Sequence, residues 1–254
     1  MNPYIGITDF TSFEQVQEML MVFNNHLPKT SNRKLHVGVM MSYKTFRGIQ
    51  SKWQNVWPPK ETISEIFSSD QTYNCLHYAD YDGRTDFRIL SQAIFYGGTH
   101  LHALQLDMIW PDPGQVASGV HTSRRQVEVI LQIGKNALHE AGNNPQTVVE
   151  KLSDYEGVIH RVLLDKSMGK GLGMDAGSLI PFALAIREAF PSLGIGTAGG
   201  LGPTTIHLVE PLVNEFPDLS IDAQGKLRPS GNAQDPINWK MAETYLINAL
   251  ELLA

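Results

Sequence analysis

The sequence repeats one pattern along its length: a short apolar, strand-forming run followed by a stretch with apolar residues at helical spacing. Strand-like runs occupy residues 4–9, 35–42, 73–79, 101–107, 127–135, 158–165, 193–198 and 219–223. Helix-like stretches occupy residues 13–25, 62–67, 87–95, 137–152, 179–190, 204–215 and 237–253. Eight units in 254 residues leave about 32 residues for each, the length of a βα repeat.

Several of the strand-like runs are apolar on both faces, as in VILQIG at 129–134 and IHRVLLD at 159–165. Such strands are typical of a parallel sheet covered by helices, which leaves a closed barrel or an open doubly wound sheet. The first βα turn, ITDFTSF at 7–13, lacks the glycine fingerprint of a dinucleotide-binding sheet. We therefore predict an α/β protein with one domain at 1–254, a (β/α)₈ TIM barrel. Asp235 and Pro236 predict the start of the last helix.

Composition excludes some classes of partner. The net charge of -6 and the lack of a Lys/Arg-rich run argue against nucleic acid. No run approaches the ~20 apolar residues of a membrane span, and residues 1–10 lack a signal-peptide pattern. The single cysteine, Cys75, excludes an internal disulfide and is expected to be buried. These features predict a cytoplasmic protein with a small-molecule ligand; they leave the oligomeric state open.

Two glycine-containing loops follow strands 7 and 8. The first carries Gly199, Gly200 and Leu201, and the second carries Asp222 and Gly225. Barrels of this class bind ligands at the C-terminal ends of their strands, and loops 7 and 8 often hold phosphate through backbone N–H groups. We predict a phosphate site there, with tight structural turns as the alternative.

Other polar residues fall at the same end of the predicted barrel. Asp165 ends strand 6 and is a candidate general acid or base, before a loop that contains Lys166 and Lys170. Strand alternation places Gln105 and Asp107 on one face of strand 4, and Gln132 of strand 5 is expected beside them.

The exit of strand 2 supplies cations and aromatic residues. Lys44 and Arg47 are candidates to hold a substrate carboxylate. The long connection that follows contains Trp53 and Trp57, which predicts a lid or a surface wrap. The nine histidines show no metal-ligand spacing, and no metal or cofactor is predicted.

The run from 162 to 228 resembles the C-terminal half of phosphoribosylanthranilate isomerase. The resemblance rests on Leu-Leu-Asp at 163–165 with Gly-Lys at 169–170, Ala-Gly-Gly-Leu at 198–201 before Pro203, and Ile-Asp at 221–222 before Gly225. Tyr43, Lys44 and Arg47 keep the spacing of the family's strand 2 exit, and Ile-Gly-Ile-Thr at 5–8 is similar to its first strand.

The resemblance implies roles for individual residues. Asp165 would be the general acid of an Amadori rearrangement, Arg47 would hold the anthranilate carboxylate, and Gly199, Gly200 and Gly225 would line the phosphate site. The family's catalytic cysteine falls on Ile5, which cannot take a proton, and Ala223-Gln224 replaces its paired serines. Asp9, Asp107 and His77 remain candidates for the missing base.

Three functions fit these observations. The first is an isomerase or lyase acting on a phosphorylated sugar derivative. The second is a non-catalytic or regulatory barrel that binds a phosphoribosyl ligand. The third is a phosphosugar aldolase or epimerase, in which Lys135 or a loop lysine would form the Schiff base.

Overall fold

A computed structural model describes residues 1–165 and 174–253. Eight parallel strands pair in sequence order and close through β1 and β8 into a barrel, which confirms the predicted (β/α)₈ fold. The strands are β1 Tyr4–Thr8, β2 Lys34–Ser42, β3 Tyr73–Asp80, β4 Ala103–Met108, β5 Glu128–Gly134, β6 Arg161–Asp165, β7 Gly194–Ala198 and β8 Ser220–Ala223. All eight overlap the predicted runs.

Helices connect the strands. They are α1 Phe13–His26, α2 Tyr43–Phe46, α3 Ile63–Ile66, α4 Phe87–Tyr96, α5 Pro113–Ser123, α6 Lys135–Glu140, α7 Pro145–Ser153, α8 Ala176–Ala189, α9 Glu210–Glu215 and α10 Trp239–Leu252. Short 3₁₀ turns occupy Lys60–Thr62, Ile206–Val209 and Gly225–Leu227.

Three helical predictions need correction. The stretch at 137–152 is two helices, because Gly142 and Asn143 adopt positive φ and Asn144 caps α7. The last helix begins at Trp239 behind the N-cap Asn238, not at Asp235-Pro236. Helix α5, which was missed, starts from an Asp112-Pro113 pair of the same kind, with the Asp112 carboxylate accepting from the Gln115 N–H.

The strands separate two apolar regions. Ile5, Ile7 and Val37 are fully buried in the large cluster that also contains the helix residues. The barrel interior holds a smaller cluster made of Tyr4, Cys75, Ala103, Ile130 and Leu163. Cys75 is buried as predicted. Since neighbouring residues of a strand face opposite sides, this division fixes which positions can reach the mouth of the barrel.

Arg33 fastens the closure of the barrel at the N-terminal rim. Its guanidinium donates to the carbonyls of Leu219 at 2.6 Å, Pro217 at 2.7 Å and Leu253 at 3.4 Å. These bonds join the start of β2 to the last βα unit. The opposite rim, at the C-terminal ends of the strands, is formed by the loops that follow them.

Candidate active site

A cavity of about 820 Å³ opens at the C-terminal ends of the strands. Its polar walls include residues from six of the eight βα units or the loops after them: Lys44, Lys52, His77, Asp80, Tyr81, Asp82, Asp107, Gln132, Asp165, Asp222, Gln224 and Lys226. This volume suits a ligand of small-molecule size.

Asp107 lies near the end of β4 and contacts two residues in or just after β3, His77 and Tyr81. The Tyr81 hydroxyl donates to Asp107 Oδ2, and His77 Nε2 lies 3.8 Å from the same oxygen. Burial alone lowers the pKa of His77, but Asp107, Asp222 and Asp9 outweigh burial and raise it. His77 is therefore biased toward the cation, and together with Tyr81 it fixes the orientation of the Asp107 carboxylate.

An amide chain links this group to Asp165. Gln105 Nε2 lies 3.3 Å from the His77 ring nitrogens and donates to Gln132 Oε1 at 2.9 Å. Gln132 Nε2 in turn donates to Asp165 Oδ2 at 3.4 Å. The polar residues predicted on strands 4, 5 and 6 thus form one row, with a carboxylate near each end. Gln105 itself is fully buried beneath the cavity lining.

The glycines predicted to bind phosphate lie on another part of the rim. Gly199 and Gly200 line the cavity with φ of 101° and 75°, and Gly225 lines it with Lys226. Loops 7 and 8 touch, because a Cβ on Gly202 would come within 2.8 Å of the Lys226 carbonyl oxygen. The Leu201 side chain is in the core. The expected helix at 204–215 starts as a 3₁₀ turn at Ile206.

Asp9 sits at the end of β1 in an unusual backbone conformation, with φ of 92°. Its Oδ2 accepts from Arg228 Nη2 at 2.5 Å and from Gln224 Nε2 at 3.0 Å, and both charged side chains are buried. Burial raises the pKa of Asp9, while Arg228 opposes that rise. Asp9 is thus an anchor for the loop after β8, and it does not line the cavity.

Asp222, at the end of β8, meets a different environment. Its two oxygens lie 2.9 and 3.1 Å from one hydroxyl, Thr8 Oγ1. His36 Nδ1 is 4.0 Å away, and burial lowers the pKa of this histidine to about 3, so it is neutral. Burial also raises the pKa of Asp222 to about 7.

Trp53 and Trp57 form an aromatic wall of the cavity. Their rings stack at 4.6 Å with an interplanar angle of 3°, and Lys52 Nζ lies 4.8 Å from the centre of the Trp53 ring. Trp57 is buried, and its Nε1 makes no hydrogen bond to the described residues. The connection at 47–59 therefore contributes to the mouth and is not an outer wrap.

The structure shows where the basic residues singled out in the sequence lie relative to the cavity. Arg47 is exposed and lies outside the cavity lining, so it is not placed to hold a substrate carboxylate. Lys44 does line the cavity, 3.9 Å from Asp82. Lys135 is exposed in the first turn of α6; it is outside the main cavity but lines a small neighbouring one with Asp107 and Asp165. Lys166 and Lys170 lie outside the described residues.

Position 5, where the resemblance would place the family's catalytic cysteine, does not face the cavity. The Ile5 side chain packs outside the barrel against the helices, whereas Gly6 faces inward, where a Cβ would meet Asp222 and His36. A cysteine at position 5 would not reach the cavity.

Sequence reasoning missed Thr8, Tyr81 and Arg228. Thr8 and Arg228 have partners more than 200 residues away, which no local pattern signals. Tyr81 directly follows a strand end, the position that places functional residues in a barrel, and this signal was available.

Within residues 1–165 and 174–253, no three His, Cys, Asp or Glu side chains are grouped to hold a metal ion. Among the helices in these ranges, none has the length and apolarity needed to cross a membrane.

Comparisons with known proteins identify the fold. No protein-family model and no curated protein matches the sequence. Active domain 2 of a chitinase from Pyrococcus furiosus superposes with a TM-score of 0.58 at 11% identity, over 99% of this chain and 95% of the other. The N-terminal domain of a candidate aldolase from Bacteroides vulgatus gives 0.56 at 10% identity, over 98% and 85%. A phosphonopyruvate hydrolase in complex with oxalate and Mg²⁺ gives 0.52 at 10%, over 87% and 75%. This chain shares their barrel, the fold of many enzymes.

Proposed function

We propose that this protein is an isomerase or lyase acting on a phosphorylated sugar derivative. One observation carries the proposal: a glycine rim with Lys226 and a row of proton-exchanging residues open into the same cavity. Consecutive glycines with positive φ leave backbone N–H groups accessible to an anion, and a lysine adds charge.

Asp165 and Asp107 supply the chemistry in this proposal. Asp165 gives a proton to the ring oxygen as the bond from that oxygen to the first carbon breaks. Asp107 takes the proton on the second carbon, and the electron pair of that C–H bond forms a double bond between the two carbons. Protonation of the first carbon and loss of the hydroxyl proton on the second complete an isomerisation that gains and loses no atoms. Exchange with solvent restores both residues.

The contacts of Asp107 suit the role of base. His77 and Tyr81 hold its carboxylate in one orientation, and the carboxylate lines the cavity. A positioned general base contributes about 10²–10⁴-fold to rate. The base thus comes from β4, and the apolar residue at position 5 of β1 is no obstacle to proton abstraction.

Hydrogen exchange tests the proposal without knowledge of the product. The protein is incubated in D₂O with ribose 5-phosphate, phosphoribosylanthranilate and related sugar phosphates. Deuterium at the first carbon of the product, and at the second carbon of recovered substrate, is followed by NMR. We expect incorporation with at least one substrate, and a loss of about 10²–10⁴-fold in Asp107→Asn. Asp154→Asn, an exposed carboxylate outside the cavity lining, is the matched control and should exchange at the wild-type rate.

Binding without exchange would favour the non-catalytic barrel instead. In that case, titration with inorganic phosphate would shift the amide resonances of Gly200 and Gly225, while no substrate acquires deuterium. No shift and no exchange at millimolar ligand would contradict both functions. An aldolase would be revealed by borohydride trapping of a substrate on a lysine, with Lys135, which lines a small cavity beside Asp107 and Asp165, as the residue to examine.

A further inference from the structure

The Asp222 carboxyl is poorly supplied with hydrogen-bond donors for an ionised group. A carboxylate has about four acceptor positions, yet the Thr8 hydroxyl carries a single proton to share between the two oxygens. The nearest histidine, His36, is neutral and 4.0 Å away. These surroundings favour the neutral acid, which needs fewer donors and itself carries one.

The carboxyl is also held in a fixed slot that opens to the cavity. Asp222 is 4% exposed and lines the cavity, and a Cβ on Gly6 would lie only 2.6 Å from its Oδ1. Asp222 is separated from Asp165 by one strand, through Ala198 of β7. At about 4.8 Å for each strand spacing, the two Cα atoms are about 10 Å apart, and both residues line the same cavity.

The charged and titratable groups around Asp222 come from six elements or the loops after them: Tyr4 and Asp9 from β1 and its end, His36 from β2, Cys75 and His77 from β3, Asp165 from β6, Lys226 after β8, and Tyr245 from α10. Burial is the largest influence and raises the pKa of Asp222 to about 7. His77 and the Thr8 hydrogen bond oppose the rise, and Asp9 and Asp165 add to it.

We propose that Asp222 works as a neutral carboxylic acid that donates a hydrogen bond to a substrate oxygen on which negative charge develops. The inference rests on the proposed function and narrows its substrates to those that pass through an enol or enolate. In the second half of the isomerisation, the hydroxyl of the second carbon loses its proton while the first carbon is protonated. Negative charge then develops on the oxygen of the second carbon, and the Asp222 O–H stabilises it. The proton stays on Asp222, so the step transfers no atom from this residue. A single such donor is worth about 10²–10³-fold in rate.

Two substitutions separate this role from a structural one. Asparagine at 222 keeps the shape and a donor at every pH, whereas leucine keeps the approximate size and removes the donor. In the deuterium-incorporation assay, we expect wild-type exchange to fall above pH 7 as Asp222 ionises. Asp222→Asn should stay within about tenfold of wild type at pH 6 and lose that fall, and Asp222→Leu should drop about 10²–10³-fold at pH 6.

The protonation of Asp222 can also be measured in the free protein, without any substrate. With aspartate labelled by ¹³C at Cγ, one carboxyl should titrate near pH 7, vanish in Asp222→Asn, and move to higher pH in Thr8→Val, which removes a hydrogen bond to the ionised form. Titration of every aspartate below pH 5.5 would overturn the inference.

The outcomes also distinguish the inference from the proposed function. If wild type exchanges and Asp222→Leu, shown to be folded by unchanged phosphate-induced shifts at Gly200, exchanges equally, the inference alone fails. Retention of the fall above pH 7 in Asp222→Asn would have the same meaning. If wild type exchanges no substrate although a carboxyl titrates near pH 7, the proposed function fails and the inference fails with it.

Discussion

At the residue scale, Asp222 links the stability of the fold to pH. Its pKa is about 7 in the native chain against an ordinary value of 3.8, so between these pH values the native state binds a proton that the unfolded chain releases. The free energy of unfolding therefore falls as pH rises through this window. Asp222→Asn has no such proton and should become more stable than wild type by on the order of 4 kcal/mol at pH 8, with little difference at pH 4.

Urea unfolding at pH 4, 6 and 8 measures this difference. Asp154→Asn, which changes an exposed carboxylate, should show no gain that grows with pH. A constant difference between Asp222→Asn and wild type across the three pH values would contradict a raised pKa at position 222.

The Asp9–Arg228 pair makes a second prediction. Arg228→Met leaves the Asp9 carboxylate buried without its cation, which typically costs about 3–5 kcal/mol. Burial already raises the pKa of Asp9, and loss of Arg228 raises it further, so protonation of Asp9 should reduce the deficit as pH falls. Urea unfolding at pH 7 and pH 5 tests this. Lys240→Met, which breaks the exposed Lys240–Glu243 pair, should cost about 0–1 kcal/mol; an equal effect of both substitutions would contradict the argument.

The strand pattern alone was enough to predict where three of the candidate residues lie. Asp107, Gln132 and Asp165 fall at strand ends, and alternation sends their side chains inward. The environment that sets their chemistry was not predictable. Thr8 meets Asp222 only because the barrel closes, and closure brings together residues 214 positions apart.

At the element scale, β1 turns Ile5 toward the helices and its neighbour Gly6 toward the interior. We expect a thiol introduced by Ile5→Cys to react with a thiol reagent no faster than wild type, in which Cys75 is buried. Ala198→Cys, at the end of β7, should react readily because Ala198 is half-buried and lines the cavity. Rapid labelling of Ile5→Cys in the native protein would mean that β1 presents the opposite face.

Loops 7 and 8 form one continuous rim because Gly202 has no side chain and lets them touch. Gly202→Ala forces its Cβ against the Lys226 backbone and should separate the loops. Lost backbone contacts are each worth about 1 kcal/mol, so affinity for inorganic phosphate should fall by about tenfold or more. Amide shifts at Gly200 and Gly225 during phosphate titration measure it. Gly177→Ala, whose Cβ would have its nearest neighbour at 3.8 Å, is the control; equal affinities in both variants would contradict a phosphate site on this rim.

Strands were predicted more accurately than helices for a physical reason. Each strand is a compact apolar run between polar loops, so its bounds are visible in the sequence. Helix ends depend on single residues such as Asn144, whose side chain caps α7, and on positive φ at Gly142 and Asn143. Helix α5 was missed because its apolar face is weak, with Val116 as its principal buried side chain.

At the scale of the whole molecule, the two rims of the barrel differ. Contacts at the N-terminal rim hold the barrel closed, and the candidate site residues lie at the C-terminal rim. Arg33 ties the first and last units at the N-terminal rim through three backbone carbonyls. At the other rim, β1 and β8 meet through the Thr8–Asp222 and Asp9–Arg228 contacts. The closure that completes the fold thereby also sets the ionisation of the residues around the mouth.

The arrangement of the whole mouth predicts that this protein is a poor phosphoribosylanthranilate isomerase. Position 5 faces away from the cavity, so the only bases available among the described cavity residues approach from other strands, with Asp107 on β4 the best oriented. A base displaced by roughly 1 Å can cost on the order of 10²-fold in rate. We expect turnover of phosphoribosylanthranilate well below the roughly 1–10³ s⁻¹ that is ordinary for enzymes. Ile5→Cys should not raise it, and Asp107→Asn should abolish what remains. An ordinary rate in the wild-type chain would contradict this prediction, and a gain in Ile5→Cys would show that position 5 reaches the substrate.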